Sequence, residues 1–334
     1  MIKVALFFRK PINGAHSIER IFQDVAHHLR FKFIFINLRS KFSSRGLLRR
    51  SFNIFQASIN QGEINHITGE VHFLSYFMNR QKTILTILDC VMMESLQGFK
   101  RWLFWLFWLW LPEKRCAIIT VISECTKQQV IKYLKCHPDK IRVIYASVSD
   151  EFVFSPKIFN QKIPQLLQIG TFPNKNILRT INALEGLKCH LTIVGRLDND
   201  HKNLLHRLNV DYTNLVDISR ADLLRQYQLC DILLFASTYE GFGLPIVEAN
   251  AIGRPVITSK LWSMPEVGAS SVCYVDPYDV SSIRSGINKV IEDEPYRSQL
   301  IANGIENAKR FRVARIAEQY SALYQEVYLN SQKG

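Results

Sequence analysis

Two glutamates eight positions apart bracket a glycine turn in the run Glu240-Gly241-Phe242-Gly243-Leu244-Pro245-Ile246-Val247-Glu248. The residues before it, Asp231 to Ser237, read as a short buried strand. The residues after Pro245 read as a helix opening, since proline is well tolerated in a first helical turn. Strand, glycine turn and helix N-terminus together aim backbone N–H groups at negative charge. Carboxylates cannot serve that same charge. Glu240 and Glu248 are suited instead to accept hydrogen bonds from hydroxyls, so the ligand would be both anionic and rich in hydroxyls.

Those residues need a scaffold, and the chain supplies strand–helix alternation twice. In the first half Val4–Phe8, Phe31–Asn37, Asn65–Thr68, Thr83–Leu88, Ile118–Ile122 and Ile141–Ile144 read as short apolar strands, with helices at 18–29 and 124–135. The pattern restarts with strands at 166–169, 191–194 and 232–236 and helices near 177–187 and 223–228. Such alternation implies α/β architecture with parallel sheets covered on both faces. The expected division is an N-terminal Rossmann-like domain over 1–155, a second over 156–314, and a final helical segment over 315–334. The proline-containing stretch from Phe154 to Pro164 is expected to link the two. Two doubly wound units in succession suggest a cleft, with ligand at the carboxyl ends of the strands.

The segment STYEGFGLPIVEANAIGRPVITS, followed by Pro265-Glu266-Val267, resembles the donor-site signature of glycosyltransferase family 4, retaining enzymes of the GT-B fold. The resemblance implies two Rossmann-like domains facing a cleft, with the last helix crossing back to the first. It implies a sugar moved from a nucleotide-sugar (UDP- or GDP-linked) to a hydroxyl acceptor, in surface polysaccharide or glycolipid synthesis. Glu248 would hold the ribose and Glu240 the sugar, with N–H groups of Gly241, Phe242, Gly243 and Leu244 near sugar and diphosphate. Lys175, in Gly170-Thr171-Phe172-Pro173-Asn174-Lys175, matches the lysine that meets the leaving diphosphate, where a fixed cation lowers the barrier. Gly14 would abut the diphosphate from the first domain. Many family members carry an arginine where Thr171 stands, so the second cation is open and Arg196 is its candidate. His66, His72 and Asp89 fall where the family has acceptor-side residues, with His72 a catalytic candidate; Leu88 replaces the family's histidine before Asp89. Asp198-Asn199-Asp200 is formally a DxD but reads as a solvated turn, so neither metal nor other cofactor is expected. Another GT-B enzyme, such as a nucleotide-sugar epimerase, or a non-catalytic nucleotide-binding scaffold would carry the same features.

Bulk composition narrows the setting. The 334 residues are 47% hydrophobic, and the seven cysteines are scattered without a CxxC pair, which suits a reducing compartment. Residues 1–151 hold 22 Lys and Arg against 11 Asp and Glu, while the rest hold 20 against 18. Nearly all of the +13 net charge therefore lies in the first half, which suggests an anionic partner. Residues 102–111 are Trp, Leu and Phe throughout. As a helix they span about 15 Å, half a bilayer's hydrocarbon core, so they cannot cross it. They are either buried in protein or dipped into a lipid interface beside Arg45, Arg49 and Arg50, with Trp102, Trp105 and Trp108 as the aromatic contacts. The shared charge favours the second, hence a cytoplasmic protein at the inner face of the membrane. No nucleic-acid recognition motif is present.

Overall fold

The computed structural model describes residues 1–10 and 17–333. The chain forms two compact units, one from Met1–Ser147 with Val313–Gly334, the other from Val148–Arg312.

The first unit is built on six strands: β1 (Ile2–Phe8), β2 (Phe33–Arg39), β3 (Ile64–Ile67), β4 (Thr83–Ile87), β5 (Ile118–Val121) and β6 (Ile141–Val143). Their order is β2-β1-β3-β4-β5-β6 and every pairing is parallel. β3 and β4 are buried along their whole length, as apolar strands covered on both faces must be. The final helix, Val313–Gln332, lies against the first helix, Ser17–His28, and adds Ile316, Ala317, Tyr320, Leu323, Tyr324 and Val327 to this unit's core. Those positions recur every three or four residues, the stripe of a one-sided helix.

The second unit has β7 (Gln165–Ile169), β8 (His190–Val194), β9 (Asp211–Leu215), β10 (Ile232–Phe235), β11 (Val256–Ser259) and β12 (Val272–Val275). The order is β12-β11-β10-β7-β8-β9, again all parallel. From β7 the chain winds one way through β8 and β9, then returns to β10 and winds the other way. The reversal therefore falls between β7 and β10, the topological switch point where such sheets bind ligands. The edge strand β9, Asp-Tyr-Thr-Asn-Leu, carries no apolar run because one side of it faces water, and sequence patterning passes over it.

The helix Leu244–Ile252 follows β10 and is buried from Ile246 to Ile252. Its polar Asn250 is anchored inside the unit through its oxygen: Ser271 Oγ (2.8 Å) and Asn307 Nδ2 (3.0 Å) both donate to Asn250 Oδ1. The stretch expected as a linker is instead part of this unit. Asp231, 2% exposed, accepts from the N–H groups of Asn160 (3.2 Å) and Gln165 (2.8 Å) and pairs with Lys157. Arg254 grips the same stretch, donating to the carbonyls of Ser155 and Gln228, each at 2.8 Å. Removing Asp231 strands a cation and two backbone donors. Asp231→Ala is expected to lower the free energy of unfolding by about 3 kcal/mol, read by urea denaturation.

Candidate functional site

The loops after β7 and β10 flank the switch point and carry the charged groups. Lys175 Nζ donates to Glu240 Oε1 at 2.6 Å, with both side chains mostly enclosed. The lysine also lies 4.8 Å above the Phe235 ring, which closes it in from the sheet side. Asn174 binds the two loops to each other: its carbonyl accepts from Thr238 N–H (2.8 Å) and its Nδ2 donates to the Tyr239 carbonyl (2.9 Å). The Glu240 turn is held from behind by Ser263, whose buried hydroxyl lies 2.9 Å from the Glu240 carbonyl and 3.0 Å from that of Phe242. Trp262 supports the same turn, donating to the Thr238 carbonyl at 3.0 Å and packing on Tyr239.

Gly243 precedes the helix Leu244–Ile252 with φ +93°, a backbone conformation that favours glycine. A Cβ there would also meet Ile246 Cδ1 at 3.1 Å. Phe242 is buried against Phe311, whereas Gly241 and Leu244 stay partly accessible. Glu248, one turn into the helix, is 5% exposed. Its Oε2 accepts from the Tyr227 hydroxyl at 2.6 Å and its Oε1 lies 3.5 Å from Arg220 Nη1. Burial pushes the Glu248 carboxyl above the usual range, against the opposing pull of Tyr227 and Arg220. Each glutamate of the pair thus has its own cation, Lys175 for Glu240 and Arg220 for Glu248. Sequence reasoning missed Arg220 and Tyr227. Their spacing of seven on one helix was the available signal, but nothing local ties it to a glutamate 21 residues beyond Tyr227.

The remaining candidates separate. Arg196 is exposed, with its guanidinium 3.5 Å from Asp217 and its carbonyl accepting from Thr171 Oγ1 at 2.8 Å. Asp198 caps the helix Asn199–Arg207, accepting from His201 N–H at 2.9 Å, so the formal DxD is a helix start. Among the described residues no group of three or more His, Cys, Asp and Glu is arranged to hold a metal. Gly14 lies outside the described residues.

In the first unit the acceptor-side assignment of His66 is corrected. It is fully buried between Tyr324 Oη and Thr86 Oγ1, each 2.8 Å from one ring nitrogen, and burial lowers its pKa to about 3. Both nitrogens are occupied by the core, which leaves none for a ligand. His72 is 5% exposed and donates Nδ1–H to the Trp108 carbonyl at 2.7 Å, with its pKa lowered to about 4 by burial. It is therefore neutral at pH 7, and its Nδ1–H staples the aromatic segment. Asp89 is exposed and caps the helix Val91–Ser95 through Val91 N–H at 2.9 Å. Leu88, in the histidine's place, packs so closely on Gly69 that a Cβ at Gly69 would lie 2.6 Å from Leu88 Cδ1.

The aromatic run is π-helical over Trp105–Trp110. Its Phe107 and Trp108 carbonyls take side-chain donors, Tyr76 Oη at 2.5 Å and the His72 ring. Trp105 and Trp108 pack on the unit's core and donate their indole N–H to the carbonyls of Tyr133 (2.9 Å) and Glu70 (3.1 Å). Arg50 covers the Trp108 ring at 4.5 Å. These three side chains therefore make contacts within the unit while staying partly exposed. Trp102, Arg45 and Arg49 remain exposed. The helix Leu47–Ile59 adds an outward stripe of Leu48, Phe52, Phe55 and Ile59, from 42 to 89% exposed.

The second α/β unit thus brings a cation, a carboxylate in contact with it and a helix N-terminus together at its switch point. Residues 149–307, nearly the whole second unit, match the model of the glycosyl transferases group 1. The serotype-specific mannosyltransferase WbdA of Escherichia coli is 28% identical over 228 residues, which cover 61% of this chain and 28% of WbdA. The O-antigen chain mannosyltransferase RfbU of Salmonella typhimurium is 29% identical over 187 residues, 53% of this chain and 52% of RfbU. The chain thus spans between about a quarter and a half of these relatives. Among solved structures, sucrose-phosphate synthase from Thermosynechococcus elongatus superposes with a TM-score of 0.81 at 15% identity, over 98% of this chain and 100% of that one. Anabaena HepE in complex with UDP and glucose gives 0.78 at 17% identity, over 98% and 100%. The fold is the α/β GT-B fold.

The buried histidines make stability pH-dependent with a defined sign. Their folded pKa values lie below the unfolded value of about 6.5, so the unfolded chain takes up protons first on acidification. Stability is retained above about pH 6.5 and lost as pH falls towards about 4 for His72 and about 3 for His66. His66→Gln is expected to flatten this decline by about 1 kcal/mol per pH unit, read by chemical denaturation at pH 7, 6 and 5.

Proposed function

We propose that this protein is a retaining glycosyltransferase that moves a sugar from a nucleoside-diphosphate sugar to a hydroxyl acceptor in surface polysaccharide synthesis. The observation that carries this reading is the charged cluster at the switch point, where Lys175 and Glu240 are in contact and Glu248 lies in the helix that begins beside them. With donor bound, the two partners separate in function: Lys175 turns to the diphosphate and Glu240 accepts from sugar hydroxyls. Backbone N–H groups at the opening of the helix Leu244–Ile252 add positive potential at the diphosphate. Glu248 accepts from the ribose. As the bond from sugar to diphosphate breaks, negative charge grows on the leaving phosphate, and Lys175 is the fixed cation that meets it. This scheme draws on no metal ion. The mannosyltransferase names of the relatives support mannose as the sugar.

The test is donor binding and turnover with GDP-mannose, UDP-glucose and ADP-glucose, with and without EDTA. One donor is expected to raise the melting temperature, by an amount equivalent to about 2.7 kcal/mol at a hundred times its Kd. Lys175→Met is expected to lower kcat at least a hundredfold while the protein stays folded. A chain that binds none of these donors, or a Lys175→Met variant with unchanged kcat, would exclude the reading.

The exposed stripe on the helix Leu47–Ile59 supports a second element, attachment to an anionic lipid surface. No described helix is long and apolar enough to cross a membrane. Leu48, Phe52, Phe55 and Ile59 would enter the headgroup region, with Lys41, Arg45 and Arg49 beside them contributing roughly 1 kcal/mol each. Flotation with vesicles containing phosphatidylglycerol is expected to carry the protein upward at low salt and release it at high salt. Phe52→Glu with Phe55→Glu should abolish it. Protein that stays in the soluble fraction at low salt would rule out the attachment.

A further inference from the structure

The helix Arg220–Leu229 places Arg220 and Tyr227 two turns apart, so both side chains project from one face. That face meets Glu248. The Tyr227 hydroxyl donates to Glu248 Oε2 at 2.6 Å, and Arg220 Nη1 stands 3.5 Å from Oε1. Arg220 is itself held, its Nε donating to Glu151 Oε2 at 3.1 Å and its guanidinium lying 4.6 Å over the Phe152 ring. Phe152 packs edge-on against Tyr227 at 5.5 Å, and both are fully buried. Two hydrogen-bonding partners and their apolar backing thus fix one carboxylate.

An ionised carboxylate offers about four acceptor directions, two on each oxygen. Tyr227 takes one on Oε2 and Arg220 faces Oε1, so each oxygen keeps an acceptor direction of its own. Two adjacent acceptors held in one plane match two vicinal hydroxyl donors, the 2′ and 3′ groups of a ribose. The same carboxylate without Tyr227 would be free to rotate, and burial would favour its protonated form. A protonated carboxyl gives up part of the acceptor capacity that a diol needs.

Resting on the reading of Glu248 as the ribose ligand, we propose that Tyr227 and Arg220 are positioning residues for the nucleotide. They hold the Glu248 carboxylate in the orientation and charge state that selects a ribonucleotide over its 2′-deoxy counterpart. The ionisable groups that face Glu248 are Tyr227 and Arg220, with Glu151 behind Arg220. Loss of the Tyr227 hydroxyl removes a donor that favours the charged form, so the acid limb of nucleotide binding moves to higher pH.

The experiment measures Kd for GDP, UDP and their 2′-deoxy forms from pH 5 to 8, in the wild type, Tyr227→Phe, Arg220→Met, Glu248→Gln and the Tyr227→Phe/Glu248→Gln double variant. Tyr227→Phe is expected to weaken the tighter-binding ribonucleotide about tenfold, as loss of a charge-assisted hydrogen bond would. It should also narrow the ribo-to-deoxy ratio and raise the acid limb, leaving kcat at saturating donor nearly unchanged. Adding Tyr227→Phe to Glu248→Gln should weaken binding no further, because the two act through one carboxylate. If Glu248→Gln weakens binding while Tyr227→Phe leaves affinity, ratio and acid limb as in the wild type, the positioning role is overturned. Wild-type binding by Glu248→Gln would instead remove the ribose reading beneath it. Should Tyr227→Phe lower the melting temperature, the partly exposed Arg220 carries the test, and an acid limb unmoved in Arg220→Met overturns the proposal.

Discussion

Parallel strand pairing is the constraint from which the rest of this structure follows. Two parallel neighbours cannot be joined by a tight turn, so each strand must be followed by a crossover that returns to the starting edge. All six strands of the second unit therefore end on one edge, and the loops leaving them gather there. Where the winding reverses, between β7 and β10, two of those loops leave adjacent strands with helices departing to either side. Lys175 and Glu240, 65 residues apart in the chain, meet at 2.6 Å for that reason.

At both ends of its strands the unit places charge in matched pairs. Lys175 neutralises Glu240, Arg220 faces Glu248, and Lys157 neutralises Asp231. An unpaired charge in such enclosed positions would be costly. The pairs differ in accessibility, however. Asp231 is sealed in by backbone donors and serves the architecture, while Lys175 and Glu240 keep some exposure. On the helix Leu244–Ile252, Asn250 Oδ1 is bonded inside the unit by Ser271 and Asn307, whereas Glu248, two residues earlier, meets Tyr227 and Arg220.

The first unit shows how a run that looks made for lipid can be consumed by packing. Residues 102–111 are apolar on every side, yet indole and imidazole N–H groups and two π-helical carbonyls lock Trp105 and Trp108 to their neighbours. A second exposed apolar surface lies on the helix Leu47–Ile59. Its buried residues Asn53, Ile54 and Ala57 face the sheet, while Leu48, Phe52, Phe55 and Ile59 face out. Apolar residues on both sides of one helix blur the periodicity that would have exposed the stripe in the sequence.

The sequence by itself determined the elements and the family. Short apolar strands alternating with helices admit few arrangements other than parallel sheets, and Glu240, Glu248 and their glycine turn lie close enough in the chain to be read as one local unit. Sequence could not decide the roles of His66, His72 and Arg196, because a histidine or arginine has the same chemistry in a core, a staple or a site. Burial between Tyr324 and Thr86 made His66 a core residue, the Trp108 carbonyl made His72 a staple, and the fold left the Arg196 side chain exposed beside Asp217. The partners of Glu248 were equally hidden, since Arg220 and Tyr227 sit on another helix. Contacts of this kind depend on how elements pack at long sequence separation, and no local pattern of residues encodes them.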